Sequence, residues 1–112
     1  MNMSEIKSIF EAYRKRKSKI DNIEIEIENL KLNGIEDDNN IEIQKLKKEM
    51  NKLKNENRKI DNILNLLPEK EYKVVKLVLI DCIDKKKVAA EIDRTERHLN
   101  RILNRAAKRI VL

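Results

Sequence analysis

The apolar residues of this chain fall into three helical stretches, divided by its only glycine, Gly34, and its only proline, Pro68. In residues 6–30 a heptad repeat places Ile6, Tyr13, Ile20 and Ile27 at position a, with Ile9, Arg16, Ile23 and Leu30 at d. A second repeat in 43–67 places Ile43, Met50, Asn57 and Leu64 at a, with Leu46, Leu53, Ile60 and Leu67 at d. Apolar side chains at that spacing form one stripe along a helix, the pattern of a coiled-coil seam. Between the repeats lies NGIEDDNN (33–40), rich in turn formers and of ordinary length for a helix–helix connection. Folding the chain antiparallel about this octet pairs Leu30 with Ile43, Ile27 with Leu46 and Ile23 with Met50. It also brings the two polar interruptions, Arg16 and Asn57, into one layer, where neither is left alone in the seam and register is fixed. The pattern predicts an antiparallel hairpin over 1–67, roughly 35–40 Å long at about 1.5 Å per residue. Two other arrangements share parts of the pattern. IEIEIE (Ile23–Glu28) alternates with the period of a strand, although the flanking heptads and the lack of turn signals favour helix. The same heptads would also zip two chains together, and Ile25 and Ile41, outside the seam, point to a hairpin that dimerises into a bundle.

Beyond Pro68 the pattern changes. Val74, Val75, Leu77, Val78, Leu79 and Ile80 form a dense apolar run that fits a buried strand or a buried helix. Its place ahead of a helix-turn-helix, with no strand partner, favours the helix. Asp84 is a natural N-cap for a second helix with Val88, Ala89 and Ile92 facing inward. Asp93 and Arg94 make a turn, and Thr95 caps a third helix. At about 100° per residue, Leu99, Ile102, Leu103, Ala106 and Ile110 of that helix share one sector. Arg97, Arg101, Arg105 and Lys108 take the opposite sector, flanked by Asn100 and Asn104. The fold class expected is therefore all-α: an antiparallel coiled-coil hairpin (1–67), read as an oligomerisation element, followed by a small three-helix helix-turn-helix head (68–112). A head of that size has a marginal core by itself, so it is expected to pack on the open end of the hairpin.

Composition sharpens the picture at the C-terminus. Charged residues make up 41% of the chain and aromatics 3%, too little bulk for a large globular core, while the 40% apolar fraction is arranged with helical period. The chain carries a net +6, and residues 94–112 hold six cations against Glu96, a net +5. Charge gathered on one helix is an electrostatic footprint for a polyanion, with double-stranded DNA the first candidate. Arginine makes bidentate bonds to guanine edges and asparagine to adenine, and the first turns of a recognition helix usually reach the bases. Arg97, Asn100 and Arg101, with His98 at the flank, are the expected base-reading residues. Lys85, Lys86, Lys87, Arg94, Asn104, Arg105 and Lys108 are the expected phosphate contacts. The RKRKSK run from Arg14 reads as a solvated hairpin face rather than a second nucleic-acid patch.

VAAEIDRTERHLNRILNRAAKRI, on residues 88–110, resembles region 4 of bacterial RNA polymerase sigma factors, whose pattern is roughly I-A-x-x-L-G-x-S-x-x-T-V-x-x-x-x-x-R-A. Val88, Ala89, Ile92, Thr95, Leu99, Arg105 and Ala106 fall on it, and the resemblance spans about residues 69–110. Asp93 stands where glycine usually makes the turn, His98 at the usual threonine, and Cys82 and Ile83 at a glycine–leucine pair. With a hairpin ahead of such a head, the layout resembles short phage-encoded transcriptional regulators, including ArpU-like proteins. That resemblance implies control of phage or prophage transcription; nothing matches sigma region 2, which melts the promoter.

Other function classes find little footing in the chain. A lone Cys82 in an apolar run cannot make an internal disulfide and reads as a buried, inert thiol of an intracellular protein. There is no apolar signal-peptide core and no run of about 18 apolar residues, so a cytoplasmic protein without membrane contact is expected. His98 has no second ligand or nucleophile at useful spacing, and no phosphate-cradling glycine loop or paired-carboxylate constellation is present. The expectation is a non-enzyme with no catalytic residues, no metal and no cofactor. Its expected partners are DNA, a second copy of the chain and RNA polymerase. The alternative is a coiled-coil adaptor that docks on RNA polymerase or a sigma factor without touching DNA.

Overall fold

A computed structural model describes residues 2–34 and 40–110, and every regular element among them is helical. Helix α1 (Met3–Leu32) includes Ile23–Glu28, so the strand alternative is set aside. Local signals mark its ends. The Asn2 side chain accepts from the Glu5 amide at 2.8 Å, and Gly34 leaves the helix at φ +93°, a conformation that suits glycine. Helix α2 (Ile41–Asn65) begins at Asn40, whose side-chain oxygen accepts from the amides of Glu42 at 2.9 Å and Ile43 at 3.4 Å. The centre of the expected turn, residues 35–39, lies outside the described residues. No helix among the described residues is long and apolar enough to cross a membrane.

The chain divides into two compact units, one of residues 13–60 and one of residues 1–12 with 61–112. In the first, Ile23, Ile27 and Ile43 are buried together, with Leu30, Leu46, Met50 and Leu53 packed against them. Arg16 and Asn57 meet: Arg16 Nε donates to Asn57 Oδ1 at 2.6 Å, and Asn57 Nδ2 donates to the Tyr13 carbonyl at 3.2 Å. Asn57 is 4% exposed, so its amide is satisfied inside the protein rather than by solvent. A surface pair between Glu24 and Lys54 at 3.6 Å joins the same two helices further along. Partner numbers rise in α1 as they fall in α2, so these stretches run antiparallel. In the RKRKSK run Lys15, Lys17 and Lys19 are exposed, and the Lys17 ammonium stands 5.1 Å from the Tyr13 ring centre. Ile25, Leu32 and Ile41 are all exposed. The heptad register puts each of them opposite the seam.

In the second unit the heptad needs amendment. Ile6 and Phe10 are wholly buried, whereas the seam residue Ile9 is only half-buried. A two-helix seam buries a narrow stripe. Here the first turns of α1 belong to a unit with several further helices, so the buried face is wider and includes the position beside d. Leu64 and Leu67 of the 61–67 stretch are buried as well. Pro68 then precedes α3 (Glu69–Val75), which continues through Lys76–Ile80 as one π-helical turn. The apolar run is therefore helical, with Val74, Val75 and Leu79 buried. The Asp81 amide closes the wide turn on the Lys76 carbonyl at 2.8 Å, and the two side chains pair at 3.2 Å.

Cys82 corrects an expectation. It is exposed and left-handed, with φ +55°. The helix ends at Ile80, and the chain reverses through Cys82 so that the Ile83 amide can reach the Leu77 carbonyl at 2.9 Å. Membership of an apolar run gave no hint of where the helix stops, and a residue in a tight reversal faces solvent. Helices α4 (Lys85–Glu91) and α5 (Glu96–Arg109) complete the unit, and α5 packs on both α3 and α4.

Asn57→Ala is expected to destabilise the protein by about 1–3 kcal/mol, because it removes the buried amide's bonds to the half-buried Arg16 guanidinium and to the Tyr13 carbonyl. Replacing Arg16 and Asn57 together by leucine is expected to restore or exceed the original stability. Urea denaturation of both variants measures this; a double variant weaker than Asn57→Ala would disprove it.

Candidate nucleic-acid interface

The turn that sets α5 on α4 is built from backbone hydrogen bonds. The Arg94 amide donates to the Ala89 carbonyl at 2.9 Å and the Asp93 amide to the Ala90 carbonyl at 3.1 Å. With Asp93 at φ +55° this is a Schellman closure, and aspartate is one of the few residues besides glycine that adopts it. Thr95 is extended, and its hydroxyl oxygen accepts from the His98 amide at 3.1 Å, capping α5. Asp84 stands at the start of α4, but its side chain makes no cap hydrogen bond. Cys82 and Asp93 are the two non-glycine residues with positive φ among those described.

Leu99, Ile102, Leu103, Ala106, Ala107 and Ile110 are buried, which turns the opposite side of α5 to solvent. Arg97, Asn100, Arg101, Asn104, Arg105 and Lys108 are all exposed there, as are Arg94 in the turn and Lys86 and Lys87 on α4. Lys85 is half-buried and donates from Nζ to Asn100 Oδ1 at 3.0 Å. This bond joins the two helices across the exposed face and fixes which end of the Asn100 amide is the oxygen. His98 differs from its neighbours. It is half-buried and lines a hollow of about 310 Å³ on the α3 side of α5, together with Lys70, Lys73 and Arg94. A second hollow, of about 360 Å³, shares Lys70, His98 and Ile102 with the first and includes Arg105 and Arg109.

Arg109 is not part of the free cationic face. Its Nε donates to Glu71 Oε1 at 3.3 Å and stands 3.0 Å from Oε2, an atom with no hydrogen bond of its own. Glu71 is 4% exposed, so the guanidinium neutralises a carboxylate held inside the unit and clips the last turn of α5 to α3. Glu71, Lys70 and Lys73 were not among the residues singled out from sequence. A signal for Glu71 existed: it stands three and four residues before the buried Val74 and Val75, on their apolar period. Comparison with family models, with curated proteins and with solved structures finds no match to the chain.

Removing the Thr95 hydroxyl in Thr95→Ala is expected to cost about 1 kcal/mol. Cys82→Gly is expected to stabilise by up to about 1 kcal/mol, since glycine relieves the left-handed strain. The gain should exceed that from Asp93→Gly, because aspartate tolerates the conformation better than cysteine. Thermal or urea unfolding of the three variants reads these signs, and a loss of stability in Cys82→Gly would count against the assigned turn.

Proposed function

We propose that the protein is a sequence-specific double-stranded-DNA-binding transcriptional regulator in which α5 enters the major groove. The observation that carries this is the division of α5: one face wholly buried, the other a run of exposed arginine and asparagine behind a capped turn. Arg97, Asn100 and Arg101 read base edges, with His98 at the flank. Arg94, Asn104, Arg105, Lys108 and the Lys85–Lys87 run hold phosphates. Asn100 keeps its NH₂ group for an acceptor on the base while Lys85 orients its oxygen.

The kinship to sigma factor region 4 and to phage or prophage regulators is part of the same proposal. It draws support from the backbone, since Cys82 and Asp93, both left-handed, stand where that pattern has glycine. In this reading residues 1–67 form a coiled-coil hairpin that pairs two copies, residues 68–112 form the DNA-binding head, and the protein is a cytoplasmic binding protein rather than an enzyme. Two recognition helices would then read half-sites about 34 Å apart or a multiple of it.

Binding to random duplex DNA is expected to fall with salt at a log–log slope of about −0.9 per phosphate neutralised. Absence of binding at low salt would defeat the proposal in favour of an adaptor that docks on RNA polymerase or a sigma factor. Arg101→Ala is expected to relax sequence preference by about 1–3 kcal/mol, whereas Lys86→Ala weakens every sequence alike and lowers the salt slope by about one unit. Equal losses from Arg101→Ala on selected and random DNA would remove Arg101 from the base-reading set. Light scattering at micromolar concentration is expected to return the mass of two chains.

A further inference from the structure

Arg97, Asn100 and Arg101 take no part in the hollow on the α3 side of α5, whose lining has a chemistry of its own. Lys70, Lys73, Arg94 and His98 surround it, and Ile92 and the edge of Ile102 form an apolar wall, with Val74 buried behind them. Three helices and a turn meet there: Lys70, Lys73 and Val74 come from α3, Glu91 from α4, Arg94 from the turn after it, and His98 and Ile102 from α5. The three cations face a single carboxylate, Glu91, so the mouth favours an anion. Among the hydrogen bonds of these side chains, Arg94 Nη1 donates to the adjacent Asp93 carbonyl at 3.3 Å, which leaves further guanidinium donors to spare. The volume, about 310 Å³, is at the small end of pockets that hold organic ligands, which are typically apolar with a few placed polar groups.

We propose that this hollow binds a small organic acid, one carboxylate on a compact aromatic or branched-aliphatic body, and that its occupancy weakens DNA binding by engaging Arg94. The apolar body lies on Ile92 and the edge of Ile102, close above the buried Val74, and the carboxylate takes hydrogen bonds from Lys73 and Arg94, with Lys70 adding charge. Charge-assisted bonds to a carboxylate are the strong ones, and arginine supplies them in a planar fork. The second clause rests on the DNA-binding reading, because Arg94 is also one of the phosphate contacts. A ligand that holds Arg94 against α3 is linked negatively to DNA, and the linkage is reciprocal.

The test is a titration of the full-length, methyl-labelled protein with sodium benzoate, without DNA and at constant ionic strength, followed by NMR. Saturable shifts of the Val74, Ile92 and Ile102 methyls are expected, with a Kd on the order of 1 mM for so small a ligand. Neutral benzamide is expected to leave them unmoved. Lys73→Gln should weaken benzoate about tenfold, the loss of one charge-assisted bond, while Lys48→Gln, the same charge change at an exposed site of the 13–60 unit, should not. Equal shifts with benzamide, no shift at 10 mM benzoate, or indifference to Lys73→Gln would overturn the site. In a second arm, saturating benzoate is expected to lower affinity for duplex DNA about fivefold relative to acetate at equal ionic strength. Unchanged affinity would overturn the coupling. If the protein binds no DNA at all, the benzoate arm still reads the hollow by itself, so the two failures are distinguishable.

Discussion

Leu99 and Ala106 are wholly withdrawn from solvent, and Ile102, Leu103 and Ala107 nearly so, which leaves α5 no freedom of rotation about its axis. A 14-residue helix that buries this face must present its other side chains outward, and those are arginine, asparagine and lysine. Cationic side chains are not repelled into position; they occupy what the apolar face leaves over. The capped turn before the helix, the clip between Glu71 and Arg109 after it, and the Lys85–Asn100 bond across its outer surface all hold the same orientation. Loss of the buried face would disperse the proposed interface even with every arginine intact.

That burial needs enough surrounding material, and α3, α4 and α5 offer little: two seven-residue helices, a π-helical turn and one helix of 14 residues. The compact unit that contains them also takes in residues 1–12 and 61–67, and with them Ile6, Phe10, Leu64 and Leu67. Small domains bury a modest share of their surface and are correspondingly marginal, so a large aromatic such as Phe10 matters more than its single position implies. The first turns of α1 thus serve the same unit as the proposed recognition helix. A truncation that begins at Pro68 would remove part of this unit as well as all of residues 13–60.

Much of this was legible in the sequence where two physical signals coincide. Both faces of α5 are strongly contrasted in polarity, so the wheel located the buried residues and the exposed ones, and Thr95 stood where a cap was needed. Arg16 and Asn57 could be matched because each breaks an otherwise apolar stripe. The misses share a different cause. Phe10 escaped because a heptad describes contact between two helices and has no place for a third neighbour. The exposure of Cys82 is hidden in the sequence because an apolar run does not announce its own end, and the π-helical turn shifts the phase just before it. Glu71 was overlooked because a carboxylate on an apolar period is discounted until its partner, 38 residues away, is seen beside it.

The Arg16–Asn57 layer has a bearing on how this chain can change over generations. Each residue sits in the seam partly on the strength of the other: Asn57 also donates to the Tyr13 carbonyl and Arg16 also stands 3.9 Å from Glu56, so the loss of one weakens the setting of the other. A lineage that loses one gives up their shared bond and with it part of the reason to keep the other, which couples the two positions. Residues 41 apart in the chain are in this sense one heritable character. Among descendants of this sequence, a change at position 16 would be the best forecast of a change at position 57.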